Sequence, residues 1–217
     1  MPLYNILIGC DQAYYDDWAV PLLNSIHRHN PQLSLHCHIV NPTVENSLAN
    51  VSITTETREF LNDESKIAYL QSARFVAADS KFRKNEKVIM IDADSICTRT
   101  INDIEFSRLF SKQHILQHPK EARWLAGFVV FHDTGFREEY IKELCSIPVD
   151  DWKWGRDQLV LNALADKCNY QVLPRTWMSI GKNKSNSVFL TLKGEQKTTD
   201  KYLGIYKKYK ENIWQIG

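Results

Sequence analysis

The sequence predicts an α/β fold in which a mixed sheet is flanked by helices. Three observations support this prediction: a strand, a helix and a second strand at the N-terminus, a short buried strand that ends in two acidic residues, and later amphipathic helices that alternate with short apolar strands. The chain has 217 residues, of which 43% are hydrophobic. It can therefore bury a full core, and we expect one domain over residues 1–217.

The N-terminal part of the chain predicts a βαβ unit. Residues 3–10 are a dense apolar run that ends in a polar loop, and residues 18–29 have helical apolar spacing after Asp16 and Asp17. Residues 33–40 predict the second strand. A βαβ crossover is right-handed and its strands are parallel, so the loop after the first strand lies at the edge where neighbouring parallel strands end.

A short strand that ends in two carboxylates is the second observation. Residues 88–91 are apolar, and Asp92 and Asp94 follow them. Side chains alternate along an extended backbone, so the two carboxylates point to the same side and could bind a hard divalent cation together with substrate phosphates. Asp is also favoured in an ordinary turn because it bonds its own backbone, so the pair alone leaves both interpretations open.

Apolar spacing and turn signals predict the remaining elements. We expect helices over residues 64–78, 136–146, 156–167 and 199–214, and strands over residues 51–55, 114–117, 124–132, 170–173 and 187–192. In the first helix Arg74 is the one charge that could face inward, and the apolar residues expected to face the core are Ile67, Leu70, Phe75 and Val76. The helix over residues 156–167 should bury Leu159, Leu161, Leu164 and Ala165. Residues between the last two strands predict a loop.

Composition excludes several classes of protein. Lys and Arg total 27 against 26 for Asp and Glu, which gives no indication of a nucleic-acid partner. The five cysteines include no C-x-x-C pair and predict reduced, mostly buried thiols in an intracellular protein. No signal peptide and no apolar run of membrane-spanning length occur, so we expect a cytoplasmic chain for which peripheral membrane contact remains open. A P-loop is also absent, so a metal and basic side chains would have to bind any diphosphate.

Histidines give weaker candidates for a site. His36 and His38 alternate along a strand, His114 and His118 have the spacing of a helical metal pair, and His132 follows a strand. The first pair is typical of a partly exposed strand face. For the second pair, the strand-like residues after His114 argue against a helix. We keep His132 as a residue that could lie near the site.

Four stretches occur in one order along the chain: Ile-Gly-Cys-Asp-Gln-Ala-Tyr at 8–14, with a helix ending in Asn-Ser-Ile at 24–26 and Asn-Pro at 30–31; Ser-Ala-Arg-Phe at 72–75, running to Lys-Val-Ile-Met-Ile-Asp-Ala-Asp at 87–94; Ala-Gly-Phe-Val-Val-Phe at 126–131; and Asp-Gln-Leu-Val-Leu-Asn at 157–162. Together they resemble the GT-A glycosyltransferases of the retaining glycogenin and lipopolysaccharide-galactosyltransferase type. The match covers about residues 3–175. It implies a GT-A domain with a nucleotide-binding half, about residues 1–98, and a sugar and acceptor half, about residues 99–217.

The resemblance implies a function and a site. The chain is expected to transfer a hexose from a UDP-sugar to a glycan, lipid-linked or protein acceptor, with retention, using Mn²⁺ or Mg²⁺. Asp11 and Tyr14 would bind the nucleotide base, and Arg74 would reach the donor phosphate or sugar. Asp92 and Asp94 would hold the metal. The catalytic residues would be Asp157 and Gln158, which would line the reacting face, where a carboxylate or amide stabilises developing oxocarbenium charge.

Two departures from the family pattern keep alternatives open. Near its end the family usually has His-x-x-Gly-x-x-Lys, whose His completes the metal site and whose Lys binds the diphosphate. Here Gly194 and Lys197 fit, but Thr191 stands at the His position, and Leu125 replaces the usual Asn before Ala-Gly. A catalytically decayed scaffold that binds nucleotide or glycan is therefore one alternative. A sugar-phosphate nucleotidyltransferase is another, although its glycine-rich, Arg-containing first loop is missing.

Overall fold

A seven-stranded mixed sheet forms the centre of the chain, and a three-stranded sheet lies beside it. The computed structural model describes residues 5–81, 86–118, 123–132, 134–167, 169–180, 186–191 and 199–210. In these ranges the large sheet has the strand order β3-β2-β1-β4-β7-β6-β8, and the small sheet has the order β5-β10-β9. No helix in these ranges is long and apolar enough to cross a membrane.

The strands are β1 (Asn5–Asp11), β2 (Ser34–Val40), β3 (Val51–Glu56), β4 (Val88–Ile91), β5 (Ser95–Cys97), β6 (Gln113–Gln117), β7 (Trp124–Phe131), β8 (Tyr170–Val172), β9 (Met178–Ile180) and β10 (Phe189–Thr191). The α-helices are α1 (Gln12–Tyr14), α2 (Val20–His29), α3 (Asp63–Lys81), α4 (Asp103–Leu109), α5 (Thr134–Leu144), α6 (Arg156–Ala165) and α7 (Asp200–Lys210). A 3₁₀ turn covers Val149–Asp151.

Four parallel strands form the N-terminal half of the large sheet. β1 pairs in parallel with β2 and β4, and β2 pairs in parallel with β3. Because parallel strands end at the same edge, Asp11 and Asp92 follow or end neighbouring strands on one side of the sheet. β7 is antiparallel to β4, with Ile91 opposite Phe128 and Val88 opposite Phe131, so its beginning reaches that same edge.

The first helix begins earlier than the sequence predicts. No polar loop follows β1, since Asp11 accepts a hydrogen bond from the Tyr14 amide at 2.8 Å and caps a helical turn that starts at Gln12. A π-helical turn, Tyr15–Ala19, then connects this turn to α2. A π turn holds more residues than an α turn and shifts the apolar phase, which explains why the 3.6-residue pattern becomes visible only near Trp18.

Helix α3 lies directly on β1, and Gly9 makes this approach possible. A Cβ atom at Gly9 would lie 2.4 Å from the Arg74 backbone nitrogen. Residues of α3 that face the sheet are small or aromatic, and Ala73 and Phe75 are fully buried. The close contact fixes the height of Arg74 above the sheet, where its side chain can reach the strand ends.

Most predicted elements are present, but their faces and some short elements differ. Ile67 and Leu159, predicted to be buried, are 50% and 65% exposed. Tyr206 and Tyr209 of α7 are buried. β5, β9 and α4 were not predicted, although Asn102 and Glu105 form a capping box at the start of α4 that is readable from the sequence.

The cysteines agree with the predicted burial in three of the four cases described. Cys10, Cys37 and Cys97 are buried in the core, whereas Cys145 is exposed. Burial raises the pKa of the Cys97 thiol to about 12. Cys168 lies outside the described residues.

Gly9→Ala should destabilise the chain by about 1–3 kcal/mol, because the added methyl group must push α3 away from β1. Gly204→Ala is the matched control, since a Cβ atom there meets nothing within 4 Å, and in α7 it should stabilise by about 0.5–1 kcal/mol. Chemical denaturation measures both. Equal effects of the two substitutions would contradict the proposed role of Gly9.

Candidate functional site

A cleft of about 930 Å³ opens at the edge of the sheet where β1 and β4 end. The seven predicted site residues that the structure describes all line it: Asp11, Tyr14, Arg74, Asp92, Asp94, Asp157 and Gln158. They come from β1, the first helical turn, α3, the turn after β4 and the start of α6. Gly194 and Lys197 lie outside the described residues. The fold therefore brings these seven residues, which are far apart in the sequence, to one cleft.

Arg74 is the buried centre of this site. Its side chain is 4% exposed, and its Nη2 atom lies 2.8 Å from Asp92 Oδ1 and 3.8 Å from Asp157 Oδ2. The guanidinium also donates to the carbonyls of Gln71 at 2.8 Å and Ala126 at 2.9 Å. Two backbone carbonyls and the Asp92 carboxylate thus fix the position of the Arg74 guanidinium. It positions one carboxylate and faces a second.

An irregularity in β7 supplies the backbone groups of the site. The pairing between β6 and β7 jumps from Ile115 opposite Val129 to Leu116 opposite Leu125. The skipped residues include Ala126, whose carbonyl binds Arg74, and Gly127, whose carbonyl accepts from the Asp92 amide at 3.0 Å.

Gly127 also makes room for a carboxylate. A Cβ atom at this position would lie 2.5 Å from Asp92 Oδ2. Any larger residue would therefore push the Asp92 side chain out of its place beside Arg74. The glycine of the Ala-Gly pair has a packing reason in this fold.

Asp157 is a buried carboxylate in the first turn of α6. Burial raises its pKa from the usual 3.8 to about 6, with Asp92 adding to the shift, while Arg74 and the Gln158 amide oppose it. Its Oδ1 atom accepts from that amide at 2.7 Å, and its carbonyl accepts from the Tyr140 hydroxyl at 2.8 Å. At neutral pH the site therefore holds a charge that burial disfavours. Such perturbed carboxylates cluster at functional sites.

Asp94 is positioned by two residues from the last part of the chain. Thr191 Oγ1 donates to Asp94 Oδ1 at 3.3 Å, and the Tyr206 hydroxyl donates to the Asp94 carbonyl. Thr191 lies in β10, where it is paired with Ser95 of β5. Burial raises the pKa of the Tyr206 hydroxyl, and Asp94 adds to that shift, so it remains a donor.

The donor set fits a hard divalent cation that is completed from outside the protein. Within the described ranges, no cluster of three or more His, Cys, Asp or Glu side chains could hold a metal. Two carboxylates, Asp92 and Asp94, and the Thr191 hydroxyl line the same cleft. Sites for Mg²⁺ commonly combine one or two carboxylates with water and substrate phosphates. The residues therefore fit such a metal only together with a phosphate ligand or water.

Aromatic side chains border the cleft near β1. The ring centroids of Tyr14 and Trp18 are 6.2 Å apart. Trp18 packs edge to face on Tyr206, with 4.7 Å between their ring centroids. Tyr14 is partly exposed and lines the cleft beside Asp11. The two residues predicted for the nucleotide base therefore share one wall.

The histidine candidates do not join the cleft. His36 contacts Ser34 and Asn5, and His38 contacts Thr54 and Glu56. His114 lies in a strand, which confirms that no helical pair is formed with His118. His132 follows Phe131, which is opposite Val88 at the other end of β4, so the antiparallel direction of β7 places it away from Asp92.

Several residues of the cleft do not follow from the sequence. Leu116, Met178 and Ile180 form an apolar part of the wall together with Leu125, the residue already noted before Ala-Gly. Trp154 and Gly155 lie at the mouth, just before α6. Gly155 has a φ of 77°, a conformation that favours glycine, and the pair Trp154-Gly155 before Asp157 was the available signal.

Solved structures of glycosyltransferases have a fold similar to that of this chain. The apo structure of the bifunctional glycosyltransferase WbbM matches 98% of the chain with a TM-score of 0.68 and 15% identity. The glycosyltransferase GlyE of Streptococcus pneumoniae TIGR4 matches 99% in its apo form, with a TM-score of 0.68 and 14% identity, and 98% in a second structure, with a TM-score of 0.64 and 14% identity. The chain has a glycosyltransferase fold.

The predicted fold class, a mixed sheet flanked by helices, is confirmed by the observed topology and by these neighbours. The chain spans 50% of the WbbM structure and 61–62% of the two GlyE structures. No protein-family model matches it. No curated protein matches it either.

The stability of the chain relative to an Asp157→Asn variant should fall as pH rises from about 4 to 7.5. The folded state binds the Asp157 proton more tightly than the unfolded chain, so this stabilisation is present below the ordinary pKa and is lost as pH rises through about 6. The expected change is at most about 3 kcal/mol. Denaturant unfolding in EDTA measures it.

Asp166→Asn, which removes an exposed carboxylate at the end of α6, controls for the loss of one charge. A stability difference between Asp157→Asn and the unmodified chain that is constant with pH would contradict the proposed state of Asp157.

Proposed function

We propose that this chain is a metal-dependent glycosyltransferase that moves a hexose from a UDP-sugar to an acceptor, with retention at the anomeric carbon. The observation that carries the proposal is the cluster of Arg74, Asp92 and Asp157 in the cleft of a glycosyltransferase fold. The Arg74 guanidinium is buried, and Asp92 directly follows β4, at the strand ends where α/β folds bind ligands. Reduced, mostly buried thiols agree with a cytoplasmic location, which we also propose.

In this proposal the wall at β1 binds the nucleotide. Asp11 uses Oδ1 to cap the first helix, and a carboxylate has further acceptor positions that would accept from the imide of uracil. Tyr14 is exposed enough to lie against the base. Asp11 and Tyr14 would thus bind the base while also fixing the start of the helix.

Asp92 and Asp94 would hold Mn²⁺ or Mg²⁺ against the diphosphate, with Thr191 beside them. When bound, the metal would neutralise the negative charge that develops on the leaving phosphate. Arg74 would act by holding Asp92 in place through the 2.8 Å ion pair. Gly194 and Lys197 keep their proposed place at the diphosphate, on the resemblance alone.

Asp157 and Gln158 would act on the sugar. As the bond from the anomeric carbon to the phosphate breaks, positive charge develops on the sugar, and a fixed carboxylate stabilises it. The hydrogen bond from the Gln158 amide and the facing Arg74 hold the Asp157 carboxylate in one orientation. A retained configuration would require the acceptor to approach from the side of the leaving group.

A nucleotide-binding or glycan-binding module without turnover is the second candidate. Thr191, a hydroxyl, stands where the resembled family has a metal-binding histidine, and Leu125 adds an apolar wall where that family has an amide. Release of UDP from any nucleotide sugar by the purified chain would exclude this candidate.

Calorimetric titration of UDP tests the proposal. UDP should bind in the presence of Mn²⁺ or Mg²⁺ and lose most of its affinity in EDTA, because the cation connects the diphosphate to Asp92 and Asp94. Asp92→Asn should weaken metal-dependent binding at least about tenfold, whereas Asp166→Asn, the exposed control, should not.

Two results would contradict this proposal. Absence of UDP binding in all three solutions would overturn the nucleotide site. Unchanged binding by a folded Asp92→Asn variant would remove Asp92 from the metal site.

Thr191→His should tighten Mn²⁺ binding, because imidazole is a better ligand than a hydroxyl and position 191 already contacts Asp94. Titration of Mn²⁺ monitored by electron paramagnetic resonance measures the affinity in the absence of nucleotide. Thermal unfolding of the same variant shows whether the substitution is tolerated in β10. An unchanged Mn²⁺ affinity in a folded variant would place Thr191 outside the coordination sphere.

A further inference from the structure

Exposed apolar side chains gather at the mouth of the cleft. Nine large apolar residues of the described ranges are exposed, and four of these line the cleft: Tyr14, Ile67, Trp154 and Leu159. Trp154 is 70% exposed, which makes it one of the most costly of these groups to leave in water. Apolar groups grouped beside polar ones at a concave site mark a ligand-binding groove.

The loop that carries Trp154 is held firmly on both sides. Trp152 is fully buried and packs against Tyr69, with 5.7 Å between their ring centroids. Its indole nitrogen donates to the Ile147 carbonyl at 3.2 Å. The Gly155 amide donates to Gln71 Oε1 at 3.3 Å. The loop thus buries one tryptophan as an anchor and presents the other to the cleft. Little order has to be gained when a ligand binds, and this favours affinity.

Ile67 and Leu159 complete the surface that Trp154 begins. The stripe of α3 that faces the cleft runs from Arg74 past Gln71 to Ile67, and seven residues of helix span about 10 Å. Leu159 lies in the first turn of α6, and its backbone amide donates to the carbonyl of Gly155, the residue before this helix. The apolar surface therefore lies outward of Arg74 and of the buried Asp157 carboxylate.

We propose that Trp154, Ile67 and Leu159 form a subsite that binds a sugar ring of a glycan acceptor. This inference rests on the proposed function and narrows its acceptor to a carbohydrate. A pyranose has an apolar C–H face that can stack on the negative face of the indole, and hydroxyl groups around its edge.

The polar groups beside this surface suit the hydroxyl edge of a sugar. Gln71 Nε2 and the side-chain amide of Gln158 make no hydrogen bond to the described part of the chain, and both side chains line the cleft. An alkyl chain could use the indole but not these amides. The combination favours a carbohydrate over a lipid tail.

Saccharide binding to Trp154 variants tests the proposal. The probes are methyl glycosides of glucose, galactose, mannose and N-acetylglucosamine in both anomers, with lactose and maltose, each titrated by saturation-transfer NMR in the presence of UDP and Mg²⁺, which is diamagnetic. The variants are Trp154→Ala and Trp154→Phe. Ile104→Ala is the control, because Ile104 is 66% exposed on α4 and lies outside the cleft.

At least one saccharide should bind the unmodified chain. Trp154→Ala should weaken that binding about tenfold, because an aromatic platform is lost, whereas Trp154→Phe should retain most of it. Ile104→Ala should bind as the unmodified chain does. UDP affinity should be the same in all variants.

Two results would overturn the subsite: no saccharide binds while UDP does, or Trp154→Ala binds saccharide normally. A further comparison uses octyl glucoside and an octyl polyethylene glycol ether, which share the alkyl chain but differ in the sugar. Equal affinity for these two compounds would also overturn the subsite. UDP titration of the same samples separates this outcome from failure of the donor site. Absence of UDP binding by the unmodified chain would overturn the proposed nucleotide site instead.

Discussion

The buried guanidinium of Arg74 is the group on which the cleft depends. It connects α3, the turn after β4, the irregular part of β7 and the start of α6 through two carbonyls and two carboxylates. Without it, Asp92 and Asp157 would face each other as like charges at the bottom of the cleft. Removing one partner of a buried ion pair typically costs about 3–5 kcal/mol, because the remaining charge is left without compensation.

Small residues make this arrangement possible. Gly9 lets the backbone at Arg74 approach β1, and Gly127 leaves space for the Asp92 carboxylate. These two glycines therefore allow Arg74 and Asp92 to form their ion pair, in which Nη2 and Oδ1 are 2.8 Å apart. The remaining imbalance is visible at Asp157, which burial holds at a pKa of about 6 despite the nearby arginine. A carboxylate that is costly to ionise is tolerated where chemistry requires it.

Sequence reasoning was most reliable for features with a clear period or a motif. The strand before Asp92 and the helix around Arg74 follow from apolar spacing. The four stretches that resemble glycosyltransferases contain the seven predicted site residues that line the cleft. It failed for three-residue strands such as β9, which are too short to show an alternation. It also misjudged Ile67 and Leu159, because the wall of a cleft has the same apolar pattern as a core. Only the tertiary arrangement distinguishes the two.

The contacts of Asp94 have a consequence for the order in which the chain is made. Its hydrogen-bond partners Thr191 and Tyr206 follow it by 97 and 112 residues. During synthesis the two carboxylates are in place long before the residues that orient the second of them. β1, β2 and β3 can pair before the later elements are made, because all three strands lie within residues 5–56. The emerging chain therefore gains the two hydrogen bonds that orient Asp94 only after β10 and α7 have left the ribosome and docked.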